Sequence, residues 1–216
     1  CVGTLCVNYK NKFSYKTSLT TPDAVDTHKI LNKLTKLSCN RIIFEASSIG
    51  LDQKRLTPLK FEVVGFTNLS QDHLDYHRTM RQYMSSKLLL FSDHIKKKSI
   101  AVINSDTKYS DYFLKMCKKH NLVCLDYGKN AEFLKIISIN RINNQFEIEL
   151  SLKSKTTKIL TKCSSEYEVY NRICALVMVF NRKLKLESFD LLSKLKNPKG
   201  RLEQIYNKKK IRVFID

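Results

Sequence analysis

Glycine is scarce in this sequence, and several patterns that would assign a class are absent. Only five of the 216 residues are glycine, and no GxxxxGK(S/T) segment occurs, so the sequence contains no phosphate-binding P-loop. No apolar run approaches about 18 residues, which argues against a membrane-spanning helix. The first residues lack the basic and then apolar layout of a secretion signal, so we expect no export. Seven cysteines, odd in number and without a CxxC pair, indicate reduced thiols in a cytoplasmic protein.

Acidic residues are outnumbered by basic ones. Lysine and arginine total 39 against 20 aspartates and glutamates, which gives a formal net charge of +19 at pH 7. Such a charge attracts polyanions, so a basic nucleic-acid-binding protein with salt-dependent affinity is one hypothesis. The alternative is compositional drift, because lysine, asparagine and isoleucine are abundant throughout and the lysine triplets at 96–98 and 208–210 fit exposed turns. We favour drift, and we expect no nucleic-acid partner.

Apolar runs alternate with helical patterns through the middle of the chain. Residues 41–46, 61–67, 99–104 and 122–127 are typical of buried strands, and residues 24–37, 79–95 and 107–120 have helical spacing. From residue 133 the period changes to two, which predicts antiparallel strands at 136–142, 145–152 and 155–160. Strands are also predicted at 2–7, 13–18 and 211–215, and helices at 167–180 and 186–195. The sequence therefore predicts an α/β fold with a mostly parallel sheet, helices on both faces and a small antiparallel edge sheet.

Two stretches are rich in side chains that carry chemistry. Residues 66–91, FTNLSQDHLDYHRTMRQYMSSKLLLF, contain Asp72, His73, His77 and Lys87 among apolar residues. Upstream, residues 44–56, FEASSIGLDQKRL, place Glu45 at the carboxyl end of a predicted strand, where open α/β sheets bind ligands. We expect Glu45 to be buried at the end of this strand, and a buried carboxylate needs a positive partner such as a cation. The two stretches together predict a site for a divalent cation and an anionic substrate.

Several of these residues also have simpler interpretations. Thr20 and Thr21 precede Pro22, a pattern that fits helix capping alone. Arg55 has the planar fork that suits carboxylate or phosphate, but it could be a surface residue. Lys87 lies on an apolar stripe, where lysines normally reach along the surface to water; burial would instead lower its pKa and leave a neutral amine, which can react with carbon dioxide to form a carbamate.

Zinc is a further alternative for the histidines. His73 and His77 are four residues apart, which on a helix would place both on one face, as in zinc sites. No glutamate stands between them in the zincin manner, and no other His or Cys follows at metal-ligand spacing. We therefore do not favour zinc.

Taken together, the motifs resemble the central domain of the Mur ligases. The matches are FTNLS and DHLDYH with a lysine ten residues later, TTPDA at 20–24, EASSIGLDQKR at 45–55, and GRLEQI at 200–205 leading into VFID. The resemblance covers nearly the whole chain and is nearest to the MurE type, which adds the third amino acid to UDP-N-acetylmuramoyl-L-Ala-D-Glu at the expense of ATP. It implies a central domain over residues 1–197 and, over 198–216, a hinge and the first strand of a truncated C-terminal domain.

The resemblance also implies residue roles. Binding of the UDP-N-acetylmuramoyl-dipeptide is expected at five residues that should line one cleft: Thr20, Thr21, Ser47, Gln53 and Arg55. Magnesium is expected at Glu45, His73 and Lys87, with Lys87 carbamylated, and His77 is expected to be structural. The nucleotide side is expected at Asn171, Arg201 and Asp216. Four positions depart from the family pattern: Leu19, Ile49, Glu166 and Glu168.

The implied activity is that of an ATP-dependent carboxylate–amine ligase of cytoplasmic peptidoglycan synthesis. Its substrates would be ATP and the UDP-linked dipeptide, Mg²⁺ would be required, and an acyl phosphate would be attacked by the incoming amine. In the family a P-loop precedes the segment matched here, so we expect an interior fragment that is inactive alone and whose partners are the missing N- and C-terminal domains, with no membrane partner. Another Mur or folylpolyglutamate-type ligase and a degenerate relative remain alternatives.

Spacing provides a geometric test of the metal site. His73 and Lys87 are fourteen residues apart, which on one straight helix is a rise of about 21 Å, too far to share an ion. We therefore predict that DHLDYH is a loop and that a helix begins near Arg78. The alternative is one continuous helix over residues 72–95, with Lys87 reaching to water.

Overall fold

The computed structural model describes residues 1–10, 12–197, 203–208 and 211–215. The chain divides into two compact units, one of Cys1–Glu62 with Ser70–Ser99 and the other of Val63–Leu69 with Ile100–Asp216. The predicted domain boundary after residue 197 stays a prediction. Because residues 198–202 lie outside the described residues, the hinge there stays a prediction.

The first unit begins with a short hairpin and a helix. Strands β1 (Val7–Tyr9) and β2 (Phe13–Tyr15) pair antiparallel, and α1 spans Ala24–Lys36. Val2, Val7, Ile30 and Leu34 form a small core between these elements. The strand predicted at residues 2–7 is wrong except at Val7, because pairing in the hairpin starts there and runs to Tyr9. The strand predicted at 13–18 ends at Tyr15, the last residue that pairs with β1.

The strand predicted at residues 41–46 is wrong. Only Phe44 forms a β-bridge, which is parallel and pairs with Val2. The bridge is held by Val2 N–H donating to Ile43 O at 2.8 Å and Glu45 N–H donating to Val2 O at 2.9 Å. It does not extend into a strand because the partner chain bends away at residues 3–5.

Helix α1 is capped by Asp23 rather than by a threonine. The Asp23 carboxylate accepts from Asp26 N at 2.8 Å, and this satisfies one of the free amides of the first turn. The interpretation of Thr20 and Thr21 as simple capping residues is therefore wrong, since their hydroxyls bond elsewhere.

Three more helices complete the first unit: α2 (Ser48–Asp52), α3 (Leu74–His77) and α4 (Met80–Ser92). Ser47 caps α2 and Thr79 caps α4 through their hydroxyls. Between α3 and α4, Thr79 N–H bonds to His77 O at 2.6 Å across Arg78, whose φ of 60° and ψ of −40° are close to a γ-turn. The fold-back near Arg78 is confirmed and the continuous helix is wrong. DHLDYH, however, is not wholly a loop, because Leu74–His77 forms a helical turn.

Six strands form one sheet in the order β3-β4-β5-β6-β7-β8. Their bounds are Phe61–Phe66, Ile95–Asn104, Val123–Gly128, Leu134–Ile142, Gln145–Leu152 and Lys155–Thr161. β5 is parallel to both β4 and β6, whereas β7 is antiparallel to both β6 and β8. The predicted α/β class is confirmed, and β6, β7 and β8 form the predicted antiparallel edge as part of the main sheet.

The lysine triplet at 96–98 is predicted to be an exposed turn, and this prediction is wrong. The triplet is part of β4, and its side chains are exposed. Three lysines can lie in this strand because the burial of β4 is concentrated in its second half, whereas positions 96–98 face solvent. In the other triplet, Lys208 ends strand β9 (Glu203–Lys208), which pairs antiparallel with β10 (Ile211–Ile215); Lys209 and Lys210 lie outside the described residues.

Helices α5 (Ser110–Lys119) and α6 (Glu166–Phe180) belong to the second unit. The core of this unit joins inward residues of the sheet, such as Leu134 and Ile148, to Val169 and Ile173 of α6. The helix predicted at 186–195 is instead a 3-10 turn, Leu186–Asp190, followed by the single turn α7, Leu191–Lys194. Within the described residues, no helix combines the length and apolar character needed to cross a membrane.

Candidate substrate and metal site

Thr21 is the centre of a hydrogen-bond network in the first unit. Its side chain is fully buried, and its hydroxyl donates to Glu45 O at 2.8 Å and accepts from Ser47 N at 2.9 Å. The main-chain oxygen of Thr21 accepts from Arg55 Nη1 at 3.0 Å. The TTPDA and EASSIGLDQKR motifs, distant in sequence, are therefore joined at one residue.

Arg55 is also held by Gln53. Its Nε and Nη2 both donate to Gln53 Oε1, at 3.0 and 2.5 Å. Gln53 is exposed and Arg55 is half-buried, so a ligand can reach both. Ser47, Gln53, Arg55 and the two threonines are thus brought together as predicted, and their role in binding stays a prediction.

Glu45 is exposed, so the expectation of a buried carboxylate is wrong. Thr4 holds it in place, donating from N and from Oγ1 to Glu45 Oε2 at 3.0 and 2.9 Å. Thr4 Oγ1 also lies 3.0 Å from Thr20 Oγ1. The sequence analysis missed Thr4, because it lies 41 residues from Glu45 and belongs to no motif recognised there.

The two stretches rich in chemistry are tied together by three side-chain hydrogen bonds. His77 Nε2 lies 2.8 Å from Ser48 Oγ in a buried position. Asp52 accepts from Tyr76 OH at 2.9 Å and from Ser86 Oγ at 3.2 Å. These contacts connect α2 to α3 and α4, so the Glu45–Arg55 stretch and the His73–Lys87 stretch lie against each other. The sequence analysis missed Ser48, Asp52 and Ser86, which lie within the recognised motifs but resemble ordinary surface residues.

His77 is buried, and its ring stacks on Tyr83 with centroids 5.2 Å apart. Burial lowers the pKa of His77, with smaller contributions that raise it from Asp52 and lower it from His73 and Lys87. A neutral imidazole bonded to Ser48 fits the structural role that the resemblance implies.

Lys87 and His73 both pack on Tyr83. The Lys87 Nζ lies 5.1 Å from the centroid of the Tyr83 ring, and the His73 ring meets the same ring edge-on at 5.9 Å. Burial lowers the pKa of Lys87, while the charges of Asp72 and Glu45 act in the opposite direction. A lower pKa increases the fraction of neutral amine, which is the form that reacts with carbon dioxide.

The donors fit a hard divalent cation in part. Glu45 could offer Oε1, since within the described part of the chain both hydrogen bonds to its side chain end on Oε2, and His73 could offer its imidazole. Over the described residues, no group of three or more His, Cys, Asp or Glu is placed to hold a metal ion. A further ligand is needed, and a carbamate on Lys87 could provide it.

Comparison with known proteins decides the family. The Mur ligase middle domain matches residues 1–179. The chain belongs to the Mur ligase family. It is 36% identical over 199 residues to the UDP-N-acetylmuramoyl-L-alanyl-D-glutamate--2,6-diaminopimelate ligase of Rickettsia bellii, covering 92% of this chain and 41% of that protein. The ligase of the same name from Aquifex aeolicus is 34% identical over 197 residues, covering 91% and 39%. The chain thus spans about two fifths of the length of these relatives.

Solved structures agree with this assignment. A UDP-N-acetylmuramoyl-L-alanyl-D-glutamate--2,6-diaminopimelate ligase superposes with a TM-score of 0.77 at 26% identity, over 94% of this chain and 43% of that one. MurF from Acinetobacter baumannii superposes with a TM-score of 0.61 at 17% identity, over 68% and 32%, and so shows the shared fold.

Only one of the three expected nucleotide residues of this Mur ligase chain, Asn171, lies among the described residues, so the nucleotide side stays a prediction. Asn171 belongs to the second unit and is exposed on α6, and Arg201 and Asp216 lie outside the described residues.

One departure from the family pattern has a structural explanation. Glu168 pairs with the buried Arg172 at 2.5 Å, and Arg172 also donates to Thr161 Oγ1 at 3.0 Å and to Asn197 Oδ1 at 2.8 Å.

Proposed function

We propose that this chain is the part of a UDP-N-acetylmuramoyl-dipeptide ligase that holds the dipeptide and a divalent cation. The full reaction would join an amino acid to UDP-N-acetylmuramoyl-L-alanyl-D-glutamate in peptidoglycan synthesis, with ATP consumed through an acyl phosphate. Relatives that are 30–36% identical are named as diaminopimelate ligases, which favours diaminopimelate as the added amino acid.

One observation carries the proposal. The hydrogen bonds of Thr21 to Glu45 O, Ser47 N and Arg55 Nη1 join the expected substrate residues into one polar surface, with the Glu45 carboxylate beside it. Substrate binding and metal binding are thereby expected within one site, as transfer of a phosphoryl group to a carboxylate requires.

The residues of this chain would position the substrate and the cation. Arg55 would orient a substrate carboxylate through its planar fork, and the hydroxyls of Thr20 and Ser47 would bond to the sugar-peptide. Glu45, His73 and carbamylated Lys87 would hold Mg²⁺, and a bound magnesium ion would supply charge neutralisation for the transferring phosphoryl group. The P-loop, which this sequence lacks, would come from another part of the same protein or from a partner chain.

The test is a chimera in which this chain replaces the matching segment of the Rickettsia bellii relative. We expect release of ADP that depends on both UDP-N-acetylmuramoyl-L-alanyl-D-glutamate and diaminopimelate. The same chimera with Glu45→Gln should retain its fold, measured by circular dichroism, and lose at least about a hundredfold in rate, because one metal-binding charge is gone.

A folded chimera that binds ATP but forms no product with either diaminopimelate or lysine would contradict the proposal. Activity with lysine instead of diaminopimelate would keep the ligase assignment and overturn the proposed amino acid.

A further inference from the structure

We propose that Thr4 is a positioning residue that sets the Glu45 carboxylate for its cation and links it to the substrate-binding Thr20. The inference rests on the proposed function, because it assumes that Glu45 binds a divalent cation and Thr20 the substrate. It adds the Gly3–Thr4 loop to the site.

The first argument is the pair of hydrogen bonds from Thr4. Its main-chain N–H and its hydroxyl both donate to the same oxygen, Glu45 Oε2, at 3.0 and 2.9 Å. Two donors from one residue restrain the position of that oxygen. Over the described residues no hydrogen bond ends on Oε1, so the lone pairs of that oxygen remain for a cation.

The second argument is the close approach of the loop to the carboxylate. A Cβ placed on Gly3 would lie 2.8 Å from Glu45 Oε2, nearer than real Cβ atoms come. Val2 is bonded on both sides of Phe44, through Ile43 O and Glu45 N. The backbone bridge therefore places Thr4 next to Glu45 in a fixed register, and glycine at position 3 lets the loop approach the carboxylate this closely without displacing it.

The third argument concerns the direction of the hydrogen bond between the threonines. A hydroxyl has one proton to donate, and that of Thr4 is directed to Glu45 Oε2. In the 3.0 Å contact between Thr4 Oγ1 and Thr20 Oγ1, Thr20 must then be the donor. The lone pairs of Thr20 are left to accept from a substrate donor, and the chain Thr20–Thr4–Glu45 couples the substrate to the metal ligand.

The experiment measures Mn²⁺ binding to the 216-residue chain by electron paramagnetic resonance, with and without UDP-N-acetylmuramoyl-L-alanyl-D-glutamate. Thr4→Val keeps the shape and the main-chain donor but removes the hydroxyl, and Thr4→Ser restores it. We expect Mn²⁺ to bind about tenfold more weakly to Thr4→Val, because outer hydrogen bonds to metal ligands contribute about 10- to 100-fold to affinity. We expect Thr4→Ser to bind within about twofold of the wild type, and the dipeptide to strengthen Mn²⁺ binding in the wild type but less in Thr4→Val.

Thermal unfolding of each variant separates positioning from stability, since Thr4 is exposed and neither substitution should change the melting temperature. Equal Mn²⁺ affinity in wild type and Thr4→Val would overturn the inference. A wild type that binds Mn²⁺ but not the dipeptide would contradict the proposed function. In that case the Mn²⁺ affinity of Thr4→Val, compared with that of Thr4→Ser, would still test the role of Thr4. A wild type that binds no Mn²⁺ would overturn the inference together with the metal site.

Discussion

Arg55 donates a hydrogen bond from Nη1 to the main-chain oxygen of Thr21 at 3.0 Å, across 34 residues of sequence. The other two donating nitrogens, Nε and Nη2, both point to Gln53 Oε1. The guanidinium is thus oriented before any ligand arrives, and one proton on Nη1 and one on Nη2 remain to donate to a carboxylate. Preorganisation of this kind reduces the ordering that substrate binding must impose.

Gly50→Ala should displace Thr21 and destabilise the chain. A Cβ on Gly50 would lie 2.7 Å from Thr21 Cβ and 2.9 Å from Thr21 Cγ2. We expect the free energy of unfolding to fall by about 1–3 kcal/mol, as for other overpacking substitutions, measured by urea denaturation.

The matched control is the double variant Gly50→Ala/Thr21→Ser, which removes Cγ2 but keeps Cβ and the hydroxyl. It should recover part of the loss relative to Gly50→Ala. If the unfolding free energies lost by Gly50→Ala and by Thr21→Ser simply add in the double variant, Thr21 Cγ2 is not a source of the clash.

The stability of the chain should decrease in mild acid because of His77. Burial lowers the pKa of His77 below its usual value of 6.5, so below that pH the unfolded chain takes up a proton that the folded chain resists. The contribution of His77 to the free energy of unfolding should therefore be constant above about pH 7. It should fall as the pH drops through 6.5.

His77→Gln keeps a hydrogen-bonding group near Ser48 and cannot titrate. The difference in unfolding free energy between wild type and this variant should shrink as the pH falls from 7.5 to about 5, because only the wild type loses stability through this group. A difference that is independent of pH would mean that His77 takes up protons equally in both states.

Lys87 should form a carbamate more readily than other lysines, since burial lowers its pKa and only the neutral amine reacts. After incubation with ¹³C-bicarbonate and Mg²⁺, carbon NMR should show one carbamate signal, which Lys87→Arg removes. Lys97→Arg, at an exposed position of β4, is the control and should leave the signal unchanged. A chain without a signal that depends on Lys87 would argue against the carbamate.

The sequence predicted which residues would meet, but not how they are held. The family resemblance was sufficient to predict that Thr21 and Arg55 belong to one cluster, and a shared ion at His73 and Lys87, fourteen residues apart, required the turn at Arg78. Glu45 was predicted to be buried because an apolar run precedes it, yet Ile43 and Glu45 are exposed. The run pairs with a single residue, Val2, and periodicity contains no information about how long a partner strand is.

The contacts that sequence reasoning missed are long-range and use common residue types. Thr4 is a surface threonine, and its value comes only from meeting Glu45 and Thr20. Asp52 and Ser86 are ordinary in a helix, and only the folded chain shows that they join α2 to α4. Glu168, which departs from the family pattern, is explained by its buried partner Arg172.

The most direct test of the central claim is calorimetric titration of UDP-N-acetylmuramoyl-L-alanyl-D-glutamate into the chain in the presence of Mg²⁺. Arg55→Lys should weaken binding by about tenfold or more, because a lysine cannot reproduce the two-pronged contact of the guanidinium. Arg182→Lys, at an exposed position of the second unit, should bind as the wild type does. Wild-type binding that is unchanged by Arg55→Lys, or no binding of the dipeptide at all, would contradict the proposal that the Thr21–Arg55 surface holds the substrate.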